Sequence, residues 1–425
     1  MNYTPVLIIT YYWPPSGGAG VQRWLSLSGH LSKIGIEPLI LTVDPAKASY
    51  PVVDQSLVKK IHPGLKVFHT SSFEWLNAYK KINPRKEIPY GGFTNEAEKG
   101  FFKKASRFIR GNFFIPDARI GWNKHAFEEA CRLIELYNIK HIITTSPPHS
   151  TQLIGINLKK KYRLQWIADI RDPWTDIYYY KAFYHLPFAK KKDASLERET
   201  LKNADQVVTV SRHIKNLFIG KVPGINENKF HVIPNGFDEE NYSEESVPQN
   251  FTILYTGTLT ADYNTSGFFS ALNKFKENGI SLVLKFIGSV NPEFRDRLQR
   301  ESFHRVEFQK HIPHESSIAA LLASSVQLLI IPEIHDNKGI LTGKLFDYLG
   351  TGKPILGIGP VDGEAAEIVY QCQAGGFFDY HDGEGIYTYL MALIKGYETK
   401  PDKKEVIRYS RKAQAASFKN LLSLS

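Results

Sequence analysis

The chain has 425 residues, 42% hydrophobic and 23% charged, which suits two or three folded domains with substantial cores and excludes a disordered or fibrous protein. Its two cysteines, Cys131 and Cys372, form neither a CxxC pair nor a metal-ligand spacing, so a disulfide scaffold is excluded and a reducing compartment is expected. The net charge is +10, and the excess falls in three runs of the first half: Lys103, Lys104, Arg107 and Arg110; Lys159, Lys160, Lys161 and Arg163; Lys190, Lys191 and Lys192.

The opening MNYTPVLIITYYWPP has no basic leader and its apolar run is broken, so it reads as a first strand, 6–10, and not as a signal peptide. No run of about 18 apolar residues occurs, so no spanning helix is expected and the protein is placed in the cytoplasm. The loop YYWPPSGGAG leads to a helix starting near Val21 and then to strand 38–43. Gly18 and Gly20 allow close approach of backbone to a ligand. Gly18-x-Gly20, with Asp44 after the second strand, is half of a dinucleotide fingerprint. Arg23 stands where the third glycine belongs, and Trp13-Pro14-Pro15 lengthens the loop, which argues against a dehydrogenase. Arg23 is read either as a contact for a phosphate or pyranose or as a surface helix charge.

Residues 50–120 read as irregular and aromatic, with Phe101, Phe102, Phe108, Phe113 and Phe114 interleaving the first basic run. That pattern suits anionic lipid headgroups or solvated helix faces, and lipid is preferred to nucleic acid because the later motifs point to sugars. Helix 122–137, strand 141–145, the turn Ser146-Pro147-Pro148-His149, helix 150–161, and strands 165–169 and 206–210 follow. In Asp169-Ile-Arg171-Asp172-Pro-Trp174, two carboxylates flank an arginine at a strand's carboxyl end. They can serve as base, sugar ligand or electrophile, or form a structural ion pair. Trp174 can stack on a sugar, and His149 stands at a strand-to-helix switch. The nucleophile elbow and the triad order of a hydrolase are both missing.

The pattern pauses at HVIPNGFDEENY, 231–242, and restarts with strand 251–255, helix 265–278, strands 282–287 and 305–309, helix 315–323 and strand 327–331. It continues through 344–349, 353–358 and 363–370. Alternating strands and helices in both halves predict an α/β protein of two Rossmann-like, doubly wound parallel sheets facing a central cleft, with the linker near 236–246. Gly257 and Thr258 follow the second half's first strand, and Gly288 a later one, leaving room for a pyrophosphate against backbone N–H groups. Between 339 and 357, GILTGKLFDYLGTGKPILG places Thr342, Gly343 and Lys344 at a helix N-terminus and Asp347 one turn on. Helix N-termini attract phosphate, and a carboxylate can accept two ribose hydroxyls, so the segment suits a sugar nucleotide.

With these residues in hand, the chain resembles a family 4 glycosyltransferase of the two-Rossmann, GT-B type. The resemblance rests on loop 13–20, on ADQVVTVS and HVIPNGFDEENY within 204–242, on YTGTL at 255–259 and on KLFDYLGTGKPIL at 344–356. IPDARIGW (115–122), SPPHST (146–151) and DIRDPW (169–174) further resemble a bacterial branch that builds surface polysaccharides. The resemblance implies retaining transfer from a nucleotide diphosphate sugar, with no metal and no separate cofactor, to a glycan or lipid-linked acceptor. Donor contacts would come from Gly18, Gly20, Gly257, Thr258, Gly288, Thr342, Gly343, Lys344 and Asp347, with Asp347 on the ribose. The acceptor side would use Asp169, Arg171, Asp172 and His149. Domains of 1–238 and 239–395 are expected, with a helix near 402–423 returning to the first. The sequence departs from the family at Gly339, where a glutamate is usual, and at Thr258, where an arginine is; Glu333 and Lys338 are the candidates to compensate. A non-catalytic binding protein and a sugar-nucleotide epimerase are the alternatives on the same fold.

Overall fold

The computed structural model describes residues 3–73, 101–242, 250–301 and 303–422. The chain divides into two compact units, Met1–Pro234 with Gln414–Ser425, and Asn235–Ala413.

Seven parallel strands form the first sheet: β1 (Thr4–Ile9), β2 (Ile36–Val43), β3 (Lys66–Thr70), β4 (His141–Ser146), β5 (Gln165–Ile170), β6 (Gln206–Thr209) and β7 (Phe230–Val232). Their order is β3-β2-β1-β4-β5-β6-β7, so the winding reverses between β1 and β4. The Val6–Ile9 stretch of β1 is apolar without a break because both faces of the sheet are covered. Leu7 and Ile9 join one core with the helices Asn123–Leu136 and Ser150–Lys161, while Val6 and Ile8 join the other with helix Ala19–Lys33.

The second unit repeats the plan with six parallel strands: β8 (Thr252–Thr256), β9 (Val283–Ile287), β10 (Arg305–Gln309), β11 (Val326–Ile330), β12 (Ile355–Ile358) and β13 (Gly375–Phe378). Their order is β10-β9-β8-β11-β12-β13. Ile253 and Tyr255 point into one core and Leu254 into the other. In each sheet the carboxyl ends of the strands at the reversal, β1/β4 and β8/β11, form the switch point where open α/β sheets take ligands.

Three strands escaped the sequence pattern. β3 and β7 are short edge strands, and β13 carries two glycines, which weaken any strand signal. Gly375 is required there, since a Cβ would lie 2.0 Å from the Ile355 carbonyl. The single helix expected over 402–423 is two, Lys403–Ile407 and Arg411–Leu421. Ser410 breaks it by pairing in parallel with Phe237, and the Arg411 N–H donates to the Phe237 carbonyl at 2.8 Å.

Beyond that break the chain rejoins the first unit. Phe418 is fully buried, 5.1 Å from the Trp24 ring, and Gln165 Nε2 donates to the Leu421 carbonyl at 2.9 Å. Phe418→Ala should therefore destabilise the first unit by about 3–5 kcal/mol, the usual cost of emptying a buried phenylalanine site. Urea unfolding with an unchanged midpoint would show that the terminal helix contributes no core.

Candidate active site

In the second unit the helix Gly343–Thr351 starts at Thr342, whose hydroxyl is buried and makes no hydrogen bond to a described residue. Lys344 lies in its first turn, where the positive end of the helix opposes a cation. Its Nζ donates to the Tyr255 hydroxyl at 2.7 Å and sits 4.0 Å from the Tyr255 ring centroid, and that hydroxyl donates on to the Thr258 carbonyl at 2.7 Å. Among the described residues no carboxylate pairs with Lys344, and lost hydration pulls its ammonium down to about 7. A cation in this setting is completed by an anion.

Gly257 and Gly288, at φ +106° and +126°, keep the approach free of side chains. A Cβ on Gly257 would lie 3.5 Å from Lys344 Nζ, and one on Gly288 2.2 Å from the Gly257 carbonyl oxygen. Their own N–H groups are already given to the carbonyls of Ile287 and Gln309 at 2.8 and 2.9 Å. Their role is thus to provide space, and the amides against which a pyrophosphate was expected to lie are not their own. The open amides are those at the helix start beside Thr342 and Gly343.

One turn along, Asp347 Oδ1 accepts from the Tyr242 hydroxyl at 2.9 Å and lies 3.6 Å from His314 Nε2. The carboxylate is a quarter exposed, so it can still meet a ligand. Tyr242 packs on Gly350, where a Cβ would lie 2.7 Å from its ring. Neither Tyr242 nor His314 was foreseen. His314 opens a helix after β10 inside the run KHIPH, and nothing local marks it. Glu333 accepts from Asn264 Nδ2 at 2.8 Å, and Lys338 pairs with Asp362 on the surface.

In the first unit Asp169 and Arg23 form a fully buried ion pair at 3.2 Å. Asp169 Oδ2 also accepts from Trp24 Nε1 and from the Thr145 hydroxyl, both at 2.8 Å. Arg23 further donates to the carbonyls of Ile233 and Pro234 at 2.9 and 2.6 Å. Expected at the acceptor, Asp169 is instead enclosed by protein donors. Arg23 is neither a ligand contact nor a surface charge, because it neutralises that carboxylate. Arg171 donates to the carbonyls of Ser146 and Pro147 at 3.1 and 3.3 Å. Its guanidinium lies so near Gly20 that a Cβ there would be 2.0 Å from Nη1, so Gly20 is explained by Arg171 and not by a donor. Gly18, at φ +105°, begins the helix Ala19–Lys33, and Asp44 accepts from the Ala46 N–H at 2.9 Å, closing a turn. Asp172 is half-buried, and burial raises its carboxyl against the opposing pull of Arg171.

His149 stacks on Trp174 with centroids 4.5 Å apart and planes at 16°. Burial first, then the charges of Arg171 and Lys221, push its imidazole down to about 3, so it is neutral at working pH. Trp174 is itself buried, its Nε1 donating to Asp193 at 2.8 Å. His149, Arg171, Asp172 and Trp174 thus gather where β4 and β5 end, with Asp169 beneath them.

Removing one partner of a buried ion pair leaves the other charge stranded. Asp169→Ala should therefore cost the first unit about 3–5 kcal/mol in chemical unfolding, while Asp172→Asn unfolds close to the native protein. Equal midpoints for Asp169→Ala and the native protein would restore Asp169 to a purely functional role.

Comparison with known proteins bears on this arrangement. The family model of Glycosyltransferase Family 4 matches residues 17–241, more than half of the chain. No curated protein matches the sequence significantly. Among solved structures, Anabaena HepE in complex with UDP is 12% identical, with 99% of each chain covered and a TM-score of 0.57. The lipopolysaccharide outer core galactosyltransferase WaaB is 12% identical over 98% of this chain and 99% of its own, with a TM-score of 0.55. An S. aureus TarM variant in complex with fondaparinux, α-GlcNAc-glycerol and UDP is 10% identical over 99% of this chain and 100% of its own, with a TM-score of 0.56. At these identities the likeness speaks for the two-sheet fold of GT-B enzymes. The family match goes further: the chain belongs to glycosyltransferase family 4, and the protein is a glycosyltransferase.

Proposed function

We propose that the second unit binds a nucleotide diphosphate sugar, and that the enzyme transfers the sugar to a glycan or lipid-linked acceptor held by the first unit, in cell-surface polysaccharide synthesis. The observation that carries this reading is Lys344, a cation without a carboxylate partner at a helix N-terminus, with Asp347 one turn away. The diphosphate would meet Lys344 and the first amides of the helix, and the ribose hydroxyls would meet Asp347. Solved relatives in complex with UDP, and with UDP and α-GlcNAc-glycerol, lend support. A lysine and a helix N-terminus together supply the positive charge such a donor needs, so the reading requires no metal.

In this reading the transfer proceeds with retention, as the family resemblance implies. The bond from the sugar to the diphosphate breaks, the acceptor oxygen bonds to the same face, and the acceptor's proton passes to the departing diphosphate. No strong protein base is needed, and His149, held neutral, orients the acceptor instead of ionising.

A thermal-shift panel of UDP, GDP and ADP tests the donor, because a ligand of the native state raises its apparent stability with concentration. One nucleotide should stand out, and Lys344→Ala and Asp347→Ala should each weaken it by about 1.5–3 kcal/mol, the range for hydrogen bonds to a charged group. Unchanged affinity in both folded variants would remove the assignment.

The acceptor reading extends to an anionic membrane surface at the cytoplasmic face. No helix among the described residues is long and apolar enough to cross a membrane, so contact would be peripheral. The side chains of Phe101, Phe102, Lys103 and Lys104 lie outside the described residues. Lys159 and Lys160 of the second basic run pair with Asp205 and Glu199. The support comes from the third run. Lys190, Lys191 and Lys192 are exposed beside the exposed Leu186 and Phe188, and Asn112 ties Leu186 to the helix that ends in the exposed Phe113. Each lysine near an anionic bilayer contributes on the order of 1 kcal/mol. Flotation with anionic vesicles at low salt should carry the protein up, neutral vesicles should not, and replacing the three lysines by glutamine should cut binding at least tenfold. Absence of flotation at low salt would leave a soluble acceptor.

A further inference from the structure

The carboxyl ends of the first sheet and the helix Phe101–Phe113 enclose a cavity of about 160 Å³. Its wall is aromatic, built from Tyr12, Trp174, Tyr179, Tyr180 and Phe183. One carboxylate fixes two of these rings: Asp193 accepts from Trp174 Nε1 at 2.8 Å and from the Tyr180 hydroxyl at 2.9 Å. Each of the two rings carries an imidazole on its face, His149 on Trp174 and His185 on Tyr180, the latter at 4.2 Å and 17°. Both imidazoles border the cavity, and in each the Nδ1 is buried without a hydrogen bond to a described residue.

The electrostatics narrow the ligand. Burial lowers both histidines, so neither is charged near neutral pH, and it raises the Asp193 carboxyl to about 6. Three further charged residues at the wall are already engaged, the first being Arg110, whose guanidinium lies over the Phe183 ring, 5.7 Å from its centroid. Asp117 accepts from the Ser150 N–H and hydroxyl at 2.7 and 2.8 Å, holding the start of helix Ser150–Lys161, and Arg119 donates to the Ser49 carbonyl at 2.7 Å. Aromatic faces and neutral imidazoles suit a ring with an apolar face and uncharged hydroxyls. The volume falls below the roughly 300 Å³ at which pockets take drug-sized ligands, so one ring fits and a chain does not.

We propose that this cavity is a subsite for a single uncharged pyranose ring of the acceptor, packed against the His149–Trp174 stack and hydrogen-bonded by His149 and His185. The proposal rests on the transferase reading above and names the acceptor's chemistry. Sugar C–H groups lie against aromatic faces, while the neutral imidazoles serve hydroxyls without attracting an anion.

Saturation-transfer NMR on the full chain tests it with four probes: methyl α-D-glucopyranoside, methyl α-D-galactopyranoside, the methyl glycoside of glucuronic acid, and farnesyl phosphate. At least one neutral glycoside should receive saturation on its ring protons. The signal should fall at least fivefold in Ala118→Leu, which fills the cavity from its wall, and in His149→Ala, which empties the stack. Thermal unfolding checks that each variant is folded, and His149→Ala decides if Ala118→Leu is not. No saturation of either neutral glycoside overturns the proposal. So does stronger saturation of the glucuronide or of farnesyl phosphate, or a signal that survives both variants. A thermal shift with UDP, GDP and ADP on the same samples separates the two readings. A shift without glycoside binding defeats the cavity alone, and glycoside binding without any nucleotide shift defeats the donor assignment alone.

Discussion

An ammonium group in the first turn of a helix, with no carboxylate beside it, is the constraint around which the second unit's site is arranged. The helix dipole opposes it and burial strips its water, so the fold tolerates Lys344 at a cost that Tyr255 offsets only in part. The neighbouring features follow from that cation. Gly257 keeps a side chain away from it and Gly288 lies against the Gly257 backbone, Thr342 leaves the helix start uncapped by a side chain, and Asp347 stands three residues on, along the same face of the helix. An anion would relieve the charge, and a hydroxyl-bearing group attached to that anion would reach the carboxylate. A nucleoside diphosphate has this order of groups.

The first unit treats its polar residues differently. At the carboxyl ends of β4 and β5 some are enclosed and some are offered. Asp169 and Arg23 hold helix Ala19–Lys33, β5 and the last residues before the second unit together, and three protein donors enclose the carboxylate. Above them Asp193 braces Trp174 and Tyr180, and these rings carry histidines that burial keeps uncharged. A site made this way recognises by shape and neutral hydrogen bonds, which suits an acceptor that must be oriented and not ionised. On the reading proposed above, the second unit would meet the phosphate with a cation and the first would meet the acceptor hydroxyl with neutral imidazoles.

Much of this was legible in the residues. Two parallel sheets followed from the alternation of apolar runs and helices, and the family from KLFDYLGTGKPIL and the block before it. The strands that stayed hidden were those with weak local signals, such as the edge strand KVFHT and the glycine-bearing GGFF. At the sites, residue type was readable and partnership was not. DIRDPW announces carboxylates around an arginine, but only the fold sets Arg23 on Asp169, 146 positions away, and Arg171 against Gly20. Asp193 and His314 carry no motif of their own, and Tyr242 ends the HVIPNGFDEENY block without any sign of its partner. They enter because long-range packing brings them to Trp174 and Asp347.

The central claim, that Lys344 is an anion site, is tested most directly by counting protons. With the ammonium pulled down to about 7, most of the empty protein holds a neutral amine at pH 8. A bound diphosphate favours the charged form and raises the pKa again, so binding must take up a proton from solution. Calorimetry of the nucleoside diphosphate that binds best, at pH 8 in two buffers of different ionisation heat, reads that uptake. The account predicts close to one proton taken up at pH 8, and little uptake by Lys344→Ala. Binding with no proton uptake in the native protein would contradict it.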